Sequence, residues 1–200
     1  MTTSNNRIVG VGGLPRSGKD TVADFLIAQG WFGFSFGDFT RRSALERHKD
    51  KPDPISVANM TETSNWLRET GGPDVILKEA LRAYQEASKT EHYEGLVLYS
   101  VRAPIEVDWI LEHGGELLWI ETSDDVRYER AMEHLRQGEA RISIEEFKRQ
   151  EALQWQPQPG IPVEAQMNIS YVKEKATKII VNEGNDLAAF QAQVEQALGL

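Results

Sequence analysis

The sequence predicts an α/β domain, a five-stranded parallel sheet with helices on both faces. Three observations point there. Short apolar runs alternate with helical patterns five times along the chain. The runs at 96–101 and 117–120 are nearly continuous in apolar residues, as strands buried on both faces are. The first run passes straight into a glycine-rich turn and then a helix.

The first strand is expected at Arg7-Ile8-Val9-Gly10-Val11, short and β-branched. A helix follows from Lys19 to Gln29, with Val22, Phe25 and Leu26 at helical spacing. Trp31 to Phe36 reads as the second strand, and Asp38 opens a helix through Arg47. The charged, proline-broken Asp50-Lys51-Pro52-Asp53-Pro54 is a connector. Helical patterns run from about Ser56 to Glu69 and from Pro73 to Ser88, with Pro73 as first helical residue after the Gly71-Gly72 break. Strand 96–101 is followed by a helix from Ile105 to His113, then by strand 117–120. Helices are expected from Asp124 to Arg136 and from Ser143 to Gln154, the latter opened by a Ser143-Ile144-Glu145-Glu146 capping box. After a break at 157–162 come the last strand, Lys178 to Val181, and a closing helix from Asp186 to Leu198.

At 200 residues and 40% hydrophobic content the chain can bury one sizeable core, so residues 1–200 are expected to form one domain. It has no cysteine, which excludes disulfides, thiolate chemistry and zinc sites built on Cys, and fits a reducing cytoplasm. No signal peptide is expected at the N-terminus and no membrane span anywhere. With 31 acidic against 22 basic residues the net charge is -9, which argues against non-specific nucleic-acid binding. An anionic ligand must therefore meet a local basic pocket, with a divalent cation.

Such a pocket is written at residues 13–19. Gly13-Leu14-Pro15-Arg16-Ser17-Gly18-Lys19 follows a strand and opens a helix, the context that makes a Walker A match meaningful. Its glycines let successive N–H groups curl toward one point, the helix N-terminus adds positive potential, and Lys19 reaches the β- and γ-phosphates of ATP. Where this motif carries a Mg²⁺-ligating Ser or Thr after the lysine, the chain has Asp20 and then Thr21. Asp20 can supply a carboxylate to the metal, with Thr21 as substitute; the plainer reading is an acidic first-turn residue.

The stretch 13–21 resembles the Gly-Lys-Asp variant of the P-loop found in phage-type deoxynucleoside monophosphate kinases, in animal-type phosphomevalonate kinases, and in archaeal kinases similar to adenylate and dephospho-CoA kinases. Phe34-Ser35-Phe36-Gly37-Asp38-Phe39-Thr40-Arg41 is similar to the Ser-x-Gly-Asp-x-x-Arg signature of adenylate-kinase-like enzymes, which implies that Arg41 grips the acceptor's phosphate. Val101-Arg102-Ala103-Pro104-Ile105-Glu106-Val107 resembles an Arg-Ser-Pro-x-Glu-Val stretch whose arginine faces the acceptor. Asn182-Glu183-Gly184 looks like the Asn-x-Gly loop beside adenine, which puts Asn182 and Gly184 with the ATP-binding residues.

The resemblance implies a nucleoside monophosphate kinase-like fold, with an acceptor-binding helical insertion at 38–90 and a lid-like segment at about 127–155. It implies Mg²⁺ with ATP as cofactor, a phosphate-bearing small-molecule acceptor, and a monomer or homodimer. The leading acceptor class is a nucleoside monophosphate. Dephospho-CoA is the alternative, because Arg42 stands at the spacing its kinases use while Arg41 stands at the adenylate-kinase spacing. A further alternative is a nucleotide-binding protein with little transfer activity. Relatives often end the strand before Arg102 in Asp-Gly-x-Arg or Glu-Gly-x-Arg, and here those positions read Tyr99-Ser100-Val101-Arg102.

Asp38 can act as a base toward a hydroxyl acceptor, or orient or bind metal for a phosphate acceptor; its structural reading is an N-cap. Arg127 and Arg130 share a helix face, and Arg136 and Arg141 flank a segment expected to move. All four are lid candidates, Arg127 with a catalytic role. Their plainer reading is surface pairing with Glu129, Glu133 and Glu139. The histidines His48, His92, His113 and His134 show no metal-ligand spacing. Trp66 and Trp155 are expected mainly to pack in the core, with base stacking as the other option.

Overall fold

The computed structural model describes residues 7–135, 141–152 and 166–200. Five strands form one sheet among the described residues: β1 (Arg7–Gly13), β2 (Phe32–Ser35), β3 (Gly95–Tyr99), β4 (Glu116–Glu121) and β5 (Lys178–Val181). Their order is β2-β3-β1-β4-β5 and every pairing is parallel. The expected α/β fold class is therefore observed. The register aligns Val11 with Tyr99, Ser35 with Tyr99, and Gly13 with Ile120. Strands β1 to β4 thus end together, and the loops that follow them meet at one edge, the carboxyl edge where open α/β sheets bind ligands.

The helices are α1 (Lys19–Ala28), α2 (Phe36–Arg47), α3 (Val57–Gly71), α4 (Val75–Ala87), α5 (Pro104–Glu112), α6 (Asp124–Glu133), α7 (Ile144–Ala152), α8 (Ile169–Glu174) and α9 (Leu187–Leu198). Strand alternation splits the core into two layers. Leu96, Leu98, Leu117 and Trp119 face one side with Ile76, Ile110 and Val172. Val9, Val11, Val97, Leu118 and Ile120 face the other with Val22, Leu26, Phe190 and Val194. On the first side β1 presents Gly10 and Gly12. A Cβ at Gly10 would lie 2.6 Å from Ile110 Cδ1, and one at Gly12 2.6 Å from Val172 Cγ1, so α5 and α8 pack straight onto the central strand.

Several boundaries differ from the sequence expectations. Helix α2 begins at Phe36, because Ser35 rather than Asp38 is its cap: the Ser35 hydroxyl accepts the Asp38 amide at 3.0 Å. Pro73 lies in a turn ahead of α4, while Pro104 takes the first helical position of α5. Helix α6 stops at Glu133. Helix α8 has no counterpart in the sequence reading. It is capped by the Asn168 side chain and held by buried Ile169 and Val172. No described helix is long and apolar enough to cross a membrane.

Candidate functional site

The loop between β1 and α1 owes its curl to left-handed backbone at Arg16 (φ 66°) and Gly18 (φ 101°). Gly18 is required twice over, since a Cβ there would also fall 2.4 Å from Asn182 Nδ2. Three successive carbonyls of the loop are bound by side chains from the β4 and β5 ends and α6. Arg127 donates to Pro15 O at 3.4 Å and Arg130 to Arg16 O at 3.3 Å. Ser17 O accepts from Asn182 Nδ2 at 2.7 Å and from Thr122 Oγ1 at 3.1 Å. In a trans peptide the following N–H points opposite its carbonyl. The amides of Arg16, Ser17 and Gly18 therefore lie on the loop's other edge; that of Ser17 closes a turn onto Leu14 O at 3.2 Å.

Lys19 is buried to 5% exposure, with Asp20 Oδ2 3.9 Å from its ammonium. Ser17 is fully buried and its hydroxyl has no hydrogen-bond partner. A buried ammonium and an orphaned hydroxyl inside a loop whose carbonyls are turned away make a cradle suited to a polyanion.

Beside this cradle Asp20 and Asp24 of α1 share one field with Asp38 of α2. Burial raises the Asp24 pKa, and the charges of Asp20 and Asp38 add to the rise. Tyr99, at the end of β3, lies in the same field. Burial first, then Asp38, Asp24 and Asp20, push its phenol above its ordinary value, against a hydrogen bond with Ser35. Among the described residues no three His, Cys, Asp or Glu side chains converge into a cage that would hold a metal by themselves. Mg²⁺ keeps most of its waters and takes one or two carboxylates plus substrate phosphates. Asp20, half-exposed on the first turn of α1, is the hard oxygen donor next to the lysine; Thr21 follows it, half-buried.

The acceptor candidates come from the ends of β2 and β3. Asp38 is exposed, and Arg41 is on its face of α2, with Nε 3.9 Å from Asp38 Oδ1, buried, and without a hydrogen bond. Arg42 turns elsewhere. With Phe34, Phe39, Ser43, Glu46, Glu79 and Ala83 it lines a cavity of about 420 Å³ between α2 and α4. The two adjacent arginines are thus separated. Half-buried Arg102 follows a residue pair with an unusual turn: Ser100 has φ 61°, left-handed backbone without glycine.

Arg127, expected as a lid and catalytic residue, lies against the loop carbonyls. Its side chain is fully buried and is spent on Pro15 O, on Thr122 O at 3.2 Å, on Asp124 at 2.6 Å and on Glu151 of α7. It underpins the phosphate loop and does not stand over it. Arg130 is committed in part to the same task, donating also to Gly184 O at 2.6 Å and Asn182 Oδ1 at 3.4 Å. Asn182, read as a neighbour of adenine, has both side-chain ends engaged under the loop. Arg141 is exposed, while Arg136 and Trp155 lie outside the described residues. Trp66 is 38% exposed and carries the Arg47 guanidinium 4.5 Å from its ring, so it is neither core nor a bare stacking platform.

Four residues of this region escaped the sequence reading: Thr122, Asp24, Arg68 and Glu106. Thr122 and Asp24 leave no local signal. Glu106 lay inside the motif quoted for Arg102, and its carboxylate accepts the Arg102 amide at 2.8 Å.

Known proteins bear on this arrangement as follows. No protein-family model matches the chain. It is 25% identical over 193 residues to a UPF0200 protein of Pyrobaculum aerophilum, covering 96% of each chain. It is 24% identical over 180 residues to a UPF0200 protein of Methanococcus maripaludis, covering 90% of this chain and 89% of the relative. Among solved structures, shikimate kinase from Bacteroides thetaiotaomicron aligns at TM-score 0.59 with 12% identity, covering 97% of this chain and 99% of that one. TT1252 from Thermus thermophilus aligns at TM-score 0.52 with 21% identity, covering 97% and 95%. The fold is that of the P-loop kinases.

Proposed function

We propose that the protein is an ATP-dependent kinase of a phosphate-bearing small molecule, with nucleoside monophosphates as the leading acceptor class. The observation that carries the reading is the outward binding of the Pro15, Arg16 and Ser17 carbonyls above a buried Lys19. It prepares a rigid loop for phosphates before any ligand arrives, and such preorganisation is most of what phosphoryl transfer asks of a protein. Lys19 holds the β- and γ-phosphates. When bound, Mg²⁺ supplies charge neutralisation on those oxygens, with Asp20 as its protein partner. Arg41 and Arg102 reach across from β2 and β3 to the acceptor's phosphate. A phosphate acceptor is already ionised, so Asp38 orients Arg41 and removes no proton.

Arg41, with a buried and unbonded Nε on the Asp38 face, supports the nucleotide-kinase register over the dephospho-CoA register of Arg42. One observation favours a second reading, nucleotide binding without useful transfer: Tyr99 stands where a carboxylate would complete the metal's water shell. Incubation with ATP, Mg²⁺ and a panel of nucleoside monophosphates and dephospho-CoA, scored by ADP release, separates the two. Release that depends on a monophosphate and vanishes in Lys19→Ala supports the kinase. Tight ATP binding with no acceptor-dependent release supports the second reading.

A further inference from the structure

Glu106 does more than cap a helix. It is 3% exposed, and both of its oxygens are engaged. Oε2 accepts the amides of Arg102 at 2.8 Å and Ala103 at 3.1 Å, and Oε1 accepts from Arg68 of α3 at 3.2 Å. Ala103 is at the cap position of α5, and the N–H groups of Arg102 and Ala103, which lie ahead of the helix, turn to a side chain from its first turn. A neutral glutamine would serve that need. The chain instead buries a carboxylate and matches it with a guanidinium that is itself only 7% exposed. Such a pair is no economical source of stability, because desolvation offsets the attraction. What the pair does accomplish is a bridge. Arg68 also donates to the Ser64 carbonyl at 3.3 Å and to the Ser64 hydroxyl, which fixes it to its own helix. From the other side, the Arg102 carbonyl accepts the Asn168 amide at 2.7 Å. The backbone of Arg102 is therefore clamped at its N–H and its C=O, and the N–H clamp is anchored in α3.

We infer that Glu106 and Arg68 are the positioning residues of the acceptor site: Glu106 locks the backbone of Arg102, and Arg68 carries that lock onto α3, so α3 and the Arg102 loop hold one geometry. The inference rests on the acceptor role proposed for Arg102. It makes the helical segment that follows β2 part of the machinery that aims an arginine from β3.

Two measurements test it, one of them independent of any activity. Amide hydrogen exchange on the ligand-free protein reads the lock directly. In Arg68→Met the Arg102 and Ala103 amides exchange faster by about tenfold or more, while the Val194 amide in α9 keeps its rate. Arg68→Lys retains the charge and stays within about threefold of the wild type. Unchanged exchange at 102 and 103 in Arg68→Met overturns the inference, and so does an equal acceleration at Val194, which would mean only general loosening. The second measurement is kinetic, with AMP, CMP, UMP and dTMP as probes. Glu106→Gln keeps an oxygen for the two amides but releases Arg68. It raises KM for the accepted monophosphate by about tenfold and leaves KM for ATP within about twofold. Equal rises in both overturn the inference. If the wild type transfers to none of the probes, the nucleoside monophosphate assignment fails, and amide exchange still decides the bridge.

Discussion

Arg127 offers the sharpest separation between a catalytic arginine and a structural one. In Arg127→Met the volume is roughly kept, the charge is lost, and four acceptors lose a donor: Pro15 O, Thr122 O, Asp124 and Glu151. Asp124 is 48% exposed and retains Lys148 at 3.4 Å, so its loss is small. Glu151 is buried and becomes an uncompensated charge. Removing one partner of such a pair costs about 3–5 kcal/mol. For a chain of this length that is a fall in Tm of about 6–20 °C. Thermal unfolding followed by circular dichroism measures it, and Arg127→Met/Glu151→Gln isolates the pair. With no charge left buried, the double variant recovers about 1–3 kcal/mol relative to the sum of the single variants. A different result refutes the reasoning: Arg127→Met as stable as the wild type, with kcat alone reduced, would return Arg127 to the reacting phosphates.

Three further outcomes are expected. Asp20→Ala raises the Mg²⁺ concentration needed for half-maximal turnover, whereas Tyr99→Phe does not; an unchanged magnesium dependence leaves Asp20 only a first-turn role worth about 0.3–1 kcal/mol. Arg41→Ala weakens acceptor use by about 2–4 kcal/mol, read as KM by steady-state kinetics, while Arg42→Ala leaves it nearly unchanged; the reverse pattern would favour the dephospho-CoA register. Ser100→Gly relieves the left-handed strain at φ 61°. It raises stability by about 0.5–1 kcal/mol in urea unfolding, once the glycine's extra unfolded-state freedom is subtracted; a net loss would mean the strain is absent.

The parts legible in the sequence were those fixed by neighbours along the chain. The phosphate loop needs only the glycines, Lys19 and the flanking strand and helix, all within a dozen or so positions. The buried runs in β3 and β4 announce parallel strands because both faces are covered. Parts set by distant packing stayed hidden. Arg127 and Arg130 were readable as an i, i+3 pair on one helix face. Whether that face turned toward a lid or toward the loop carbonyls depended on β4 lying beside β1, which the helix alone does not encode. Asn182 shows the same limit, since its partner Ser17 is far away in sequence. Helix α8 escaped because six residues give too short a periodic signal. Its cue was Asn168 before Ile169 and Val172 at i, i+3.

Tyr99 and Asp20 are best understood together. A carboxylate at position 99 would enter a field already made by Asp20, Asp24 and Asp38, where burial first, and then Asp20 and Asp38, raise the Asp24 pKa. Like charges crowded at one site oppose each other's ionisation, so an added acid there would meet repulsion from all three. A phenol raised above its ordinary value remains neutral at physiological pH and adds nothing to that repulsion. The phosphate loop meanwhile has an acid where its common form has a hydroxyl. The two departures compensate in charge: one carboxylate is gained on the first turn of α1 and one is absent from the end of β3. With Asp20 as the proposed metal partner, the acidic charge of the crevice is carried by a helix in place of a strand.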